Sequence, residues 1–189
     1  NDIHLVLSED LILPLDQPCD QQAITLLDRR NKDQDVIDPH ISSVTGMDVF
    51  DLVLRVHFAD GEEGYLIKEF EVSGIADTFT LSFYEDAGFS YVVDTQGNVL
   101  IRAAHPNSNK TVQNLLDMLS PQANDPQALS QFAQALKGAD TGWAIFTYEG
   151  ERTVFCFTPV GLQSDWVLIS IIPEAAVNAQ TNALLRQAL

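Results

Sequence analysis

Basic side chains are scarce in this sequence. Ten Lys and Arg stand against 27 Asp and Glu, a formal net charge of −17 over 189 residues. A nucleic-acid partner needs a basic face to displace counterions from phosphates. The one basic run, Arg29-Arg30 with Lys32, sits among Asp28, Asp33 and Asp35. Anionic membrane surfaces repel such a chain for the same reason. Both partner classes are excluded.

Cysteine is nearly absent as well. Cys19 and Cys156 can close one disulfide or remain two buried thiols. The second is the simpler reading, because Cys156 stands between Phe155 and Phe157 and a free thiol behaves as a small hydrophobe. Cysteine usage leaves the compartment open. No apolar run approaches the ~20 residues of a membrane helix, and the opening NDIHLVLSED lacks the basic n-region of a signal peptide. The two ends read as cuts in a longer protein, with no initiator Met and a helical pattern running off the end.

Catalytic motifs are missing too. There is no Gly-x-Ser-x-Gly elbow, Walker loop, His-Glu-x-x-His or Cys-x-x-Cys. His4, His40, His57 and His105 form no i, i+3 or i, i+4 pair, so no metal site is legible and no cofactor is implied. The carboxylate pairs Glu62-Glu63 and Glu85-Asp86 fall in turn-like segments, where acidic residues solvate loops. The sequon at Asn109 has meaning only in a eukaryotic secretory protein.

Hydrophobic residues make up 46% of the chain, enough for a core, and the length suits one domain. Ile3–Leu7 reads as a strand, with Leu11–Leu15 as its hairpin partner. Asp20–Arg30 fits a short helix, and RRNKDQDVIDPH reads as an exposed loop ended by Pro39. Alternation over DVFDLVLRVHF puts Leu52, Leu54, Val56 and Phe58 on one side and Val53, Arg55 and His57 on the other. After the turn ADGEEG a second strand runs from Gly64 to Phe70. Gly74–Leu81 reads as a short helix.

The stretch YVVDTQGNVLIRAAHPN is a hairpin, with apolar strands flanking Asp94, Gly97 and Asn98. Val112, Leu115, Leu116 and Leu119 predict a helix over Lys110–Ser120. A second helix has Asp125 as N-cap, Pro126 in its first turn and Gly138 past its end. WAIFTY, RTVFCFTPV and DWVLISII form an antiparallel meander through short connections. Pro173 ends it, and Glu174–Leu189 is helix-forming. The whole reads as one α+β domain, an antiparallel sheet of about five main strands with helices on its faces. No internal repeat is visible.

One constellation suggests binding. Arg55 and His57 share a strand face and Lys68 lies on the adjacent strand, a set of donors suited to clamping a carboxylate. Tyr65, Tyr91, Arg102 and His105 are further candidates for that site. For Arg55, His57 and Lys68 the plainer role is to lie on a solvated face or to pair with neighbouring Asp and Glu.

Read in order, the second half resembles the Cache family (also called PDC domains), PAS-like extracytoplasmic sensor domains of bacterial signalling proteins. The resemblance rests on Tyr91-Val92-Val93-Asp94 with Gly97 and Val99-Leu100-Ile101, then His105-Pro106. It continues with Asn114-Leu115-Leu116, the strand Gly142–Tyr148, Thr158-Pro159-Val160, and a last strand from Trp166 to Pro173. The central hairpin around Asp60-Gly61 is similar to the family's own. Two features depart from it: the long first helix is missing, and so is the R-x-W-Y signature of amino-acid-binding members.

The resemblance implies a single non-enzymatic input module over 1–189. Residues 1–90 would carry the ligand-side loops and hairpin, 91–173 the sheet core, and 174–189 a helix toward the membrane. The details look most like sensor domains preceding GGDEF diguanylate cyclases; histidine kinases and chemoreceptors carry similar domains. The implied protein is anchored by flanking membrane helices, faces the extracytoplasmic side and signals as a homodimer. Its ligand would be a carboxylate or amino acid. The competing classes are a cytosolic PAS- or profilin-like interaction domain and a small hydrolase.

Overall fold

The computed structural model describes residues 3–8, 11–13, 18–20, 23, 25, 33–78, 87–161 and 164–187. They fall into two compact units, 1–75 with 162–164 and 76–161 with 165–189. The expected antiparallel architecture is present twice over. Each unit carries its own five-stranded sheet.

The first unit holds β1 (Ile3–Ser8), β2 (Leu11–Leu13), β3 (Gln34–Ile41), β4 (Asp48–His57) and β5 (Glu63–Glu71), in the order β2-β1-β5-β4-β3. The β4–β5 hairpin turns at Gly61, whose φ of +89° is easy only for glycine. One sheet face buries Val6, Ile37, Val53 and Ile67 against Cys19 and Ala23. The opposite face of β4 carries Leu52 and Leu54, and Leu54 remains 38% exposed. Among the described residues, the more apolar side of this strand is therefore the less buried one.

Residues 34–40, expected to be loop, lie in strand β3. Its register against β4 slips between Ile37 and His40, where Pro39 lies. At the edge of a sheet, and at such an irregularity, the missing proline N–H costs no ladder bond. The helix expected over 20–30 falls largely outside the described residues; Ala23 and Thr25 are helical. The short helix expected from Gly74 is α1, Val72–Thr78.

The second unit holds β6 (Phe89–Val93), β7 (Val99–Arg102), α2 (Pro126–Lys137), β8 (Gly142–Tyr148), β9 (Glu151–Pro159), β10 (Val167–Pro173) and α3 (Glu174–Gln187). Its sheet runs β7-β6-β10-β9-β8. Numbered within each unit, both orders are 2-1-5-4-3. One topology occurs twice without a repeat in the sequence. Tyr91, Phe155, Ile169 and Ile171 lie on the inner face beneath Leu115, Leu119, Phe132 and Leu136.

The β6–β7 hairpin is as expected. The Asp94 carboxylate accepts from the Gln96 and Asn98 amides at 2.8 and 2.9 Å, and Gly97 has φ +85°. Helix α2 also follows its punctuation: Asp125 Oδ1 accepts from the Gln127 amide at 3.1 Å and Pro126 opens the helix. The helix expected over 110–120 does not form; only a 3-10 turn, Leu116–Met118, is found there. Asn114 explains the difference. Its Oδ1 accepts from the Leu116 amide at 2.9 Å, and its Nδ2 donates to Gln96 O and Asn98 Oδ1 at 3.1 and 3.0 Å. Such side-chain bonds compete with the helical ladder. Leu115 and Leu119 are buried regardless.

Asn124 protects a sheet edge. Its amide side chain accepts from Thr147 N at 2.7 Å and donates to Thr147 O at 3.0 Å, standing in for a neighbouring strand beside β8. Among the described residues no helix is long and apolar enough to cross a membrane.

Candidate cavity in the second unit

The β8–β9 connection is the two-residue turn Glu149-Gly150, with φ of +51° and +85°. Both values are left-handed, as a type I′ hairpin requires. Glycine adopts this freely, whereas Glu149 does so at a cost. The turn delivers Tyr148, Glu149 and Glu151 to the rim of a cavity of about 540 Å³. Phe89 and Ile171 give it an apolar wall, and residues 106–109 close another side.

Polar groups on the cavity are tied to one another. The Tyr148 hydroxyl donates to Glu149 Oε1 at 2.9 Å. Burial, and then the Glu149 hydrogen bond and charge, hold that phenol well above its ordinary pKa. Behind the loop, the Tyr91 hydroxyl donates to Asn109 O at 3.2 Å. Burial raises the Tyr91 pKa as well, against the lowering effect of its Ser108 and Asn109 bonds. Asn109 Oδ1 accepts from the Thr111 amide at 3.0 Å, which fixes the loop end. Among the described residues, two carboxylates and no Lys or Arg line the cavity. It suits a ligand that brings N–H donors or a positive charge.

Of the residues proposed from sequence, the four in the first unit do not share one face of its sheet. Arg55 and Tyr65 are cross-strand partners, and His57 pairs with Glu63, so those three share one face of the first sheet. Lys68 pairs with Leu52 and lies on the other face, its ammonium 5.4 Å from the Phe70 ring centre. There it borders a groove of about 250 Å³ with Leu52, Leu54 and Leu66. A single clamp of Arg55, His57 and Lys68 is thus not assembled; strand alternation across the β4–β5 register separates them. Arg55 is ion-paired with Glu63, and His57 Nδ1 lies 3.2 Å from Glu63 Oε1.

Tyr91, Arg102 and His105 belong to the second unit. Arg102 donates to the carbonyls of Lys110, at 3.3 Å, and of Val112. His105 is buried, stacked on Phe89 with ring centres 6.1 Å apart, and its Nδ1 accepts from the Asn107 amide at 3.1 Å. Tyr91 and His105 thereby support the cavity wall from behind. Glu149, Glu151 and Asn107 were hidden by their own turn chemistry, since Glu-Gly-Glu and Pro-Asn read first as turns.

No family model and no curated protein matches the sequence. Solved structures do match the fold. The ligand-binding domain of the Pseudomonas aeruginosa PAO1 amino acid chemoreceptor PctB, in complex with L-Gln, superposes with a TM-score of 0.60 at 14% identity, covering 99% of this chain and 75% of that one. The ligand-binding domain of the Pseudomonas fluorescens chemoreceptor CtaA, with L-isoleucine, gives 0.63 at 16% identity, covering 94% and 71%. An extracellular domain assigned to a histidine kinase, mmHK1S-Z3, gives 0.60 at 14%, covering 84% and 56%. The chain has the fold of these sensor domains.

Proposed function

We propose that this chain is the extracytoplasmic ligand-sensing module of a membrane-anchored bacterial signalling protein. It has no catalytic role of its own; the output lies elsewhere in the protein. The fold shared with ligand-binding domains over nearly the whole chain carries this reading. The matched proteins are chemoreceptors and an assigned histidine kinase, which supports an output of that kind over the diguanylate cyclase suggested by the sequence resemblance.

The ligand is a small molecule bearing an amine, an amino acid or a related ammonium compound, held in the cavity of the second unit. Glu149 and Glu151 receive the positive group, Tyr148 and the 107–109 loop supply hydrogen bonds, and Phe89 and Ile171 contact its apolar part. The cavity volume falls within the range of small-molecule sites, roughly 300–1,000 Å³. Strand β10 contributes Ile171 and Pro173 to the wall and passes directly into α3. A ligand that prefers one pose of β10 shifts the population of α3 poses, which is how binding reaches the output.

A thermal-shift and calorimetric screen of amino acids, amines and carboxylates tests this. A ligand at 100 times its Kd stabilises by roughly 2.7 kcal/mol. Glu149→Gln with Glu151→Gln should abolish the shift, and Arg55→Ala should leave it unchanged. The opposite pattern would move the site to the Arg55 face of the first unit; no hit in any class would remove the sensor reading.

A further inference from the structure

Within the first unit, three side chains able to ligate a metal meet in the buried interior. Asp20 comes from the segment 18–20, His40 from β3 and Asp51 from β4; their side chains are 3%, 6% and 1% exposed. One donor atom from each lies within 4.8 Å of the other two. Nothing in the spacing 20, 40, 51 announces this. The slip of β3 after Ile37 brings it about, by setting His40 opposite Val49 rather than continuing the earlier register.

Each group is oriented from outside the cluster. His40 Nδ1 donates to Asp38 O at 3.0 Å, which leaves Nε2 directed inward. Asp20 Oδ1 is held by the Ser43 hydroxyl at 2.6 Å and the Ser43 amide at 3.3 Å, so Oδ2 faces His40 Nε2 at 2.7 Å. A carbonyl behind an imidazole and a hydroxyl behind a carboxylate are the supports that metal ligands ordinarily have. Asp51 is the anomaly. Both its oxygens are buried without a hydrogen-bond partner, and Oδ2 lies 3.6 Å from His40 Nε2. An unsatisfied buried carboxylate is costly enough to need a compensating partner.

We propose that Asp20, His40 and Asp51 form a buried site for a zinc-class divalent cation. The ion sits between Nε2 and the two inward oxygens, and its charge balances the two carboxylates. A tetrahedral ion with bonds of ~2.0–2.1 Å spaces its ligand atoms ~3.3 Å apart. The His40–Asp51 separation is already near that value, and the His40–Asp20 contact opens by about half an ångström on binding. An imidazole nitrogen with two carboxylates favours zinc and its neighbours over calcium or magnesium, which take mainly oxygen ligands in larger number. A fourth position is left to water. Bound there, the ion ties the 18–20 segment to β3 and β4.

The test uses the purified chain, stripped with EDTA and dialysed. Competition against a chromophoric chelator, with metal content by mass spectrometry, should give one zinc per chain. Asp51→Asn keeps the side-chain shape and should lower the affinity at least 100-fold. Ser43→Ala keeps all three ligands and should lower it about tenfold, within the range for losing an outer support. Zinc should also raise the Tm of the parent chain and not that of Asp51→Asn. Circular dichroism separates lost binding from lost fold; if Asp51→Asn does not fold, Ser43→Ala decides. No stoichiometric zinc in the parent, or undiminished affinity in either folded variant, overturns the site and leaves a buried ion pair only.

Discussion

Asp51 faces His40 across the β4–β3 pairing, with Oδ2 3.6 Å from Nε2 and neither oxygen hydrogen-bonded. Burial pushes its pKa up to about 7; the His40 charge opposes this, and Glu69 and Asp20 add to it. Burial works against protonation of His40, but the Asp38 carbonyl, Asp20 and Asp51 outweigh it and raise that pKa too. Both groups thus bind protons more readily in the folded chain. The Asp51 contribution is lost as pH rises from about 4 to about 7, and that of His40 as pH rises past its raised value. In metal-free buffer, urea midpoints should fall across pH 4.5–8. Asp51→Asn should flatten the slope; a slope of the other sign would contradict the buried geometry.

Gly142 on β8 lies opposite Phe157 on β9, and a Cβ at that position would come within 2.8 Å of the Phe157 ring. That ring packs 5.4 Å from Phe132, centre to centre, so it has little freedom to yield. Gly142→Ala should destabilise the second unit by about 1–3 kcal/mol, the usual cost of overpacking. Chemical denaturation reads this directly.

Asn124 bonds both backbone groups of Thr147 at the exposed edge of β8. Asn124→Ala should cost about 1–2 kcal/mol. Hydrogen exchange gives the sharper readout: the Thr147 amide should lose protection while those of Phe155 and Ile169 keep theirs.

Both cysteines are free thiols. Burial, with the charges of Asp51 and Asp20, holds Cys19 up at about 11, and burial raises Cys156. Alkylation at pH 8 should be slow in the native chain and complete at two sites in denaturant without reductant. Mass spectrometry detecting fewer than two adducts would mean that a disulfide forms.

Much of the second unit was legible because its signals are local. Asp125-Pro126, Gly138, the Asp94–Asn98 turn and the three-strand meander each declare themselves within a few residues. The helix over 110–120 misled because leucine spacing records burial, and Asn114 redirected the backbone without changing which leucines are buried. Pro39 concealed β3, since only the sheet's order shows that it stands at an edge. The division into two sheets was illegible for a related reason: a hairpin does not state which other strands it joins. The same holds for sites. Arg55 and Lys68 are neighbours in a pattern but not on a face, while Asp20, His40 and Asp51 become neighbours only through a register slip.

The direct passage from Pro173 to Glu174 leaves no slack between sheet and helix. Arg152 on β9 secures the junction, its Nε donating to Glu174 Oε2 at 2.5 Å. A helix rises ~1.5 Å per residue, so the 14 residues of α3 extend about 21 Å beyond that point. Treated as a rigid arm, a tilt of about three degrees at Pro173 carries the far end roughly 1 Å sideways. Under the proposed sensing function, that joint would be a lever with its short arm in the cavity wall.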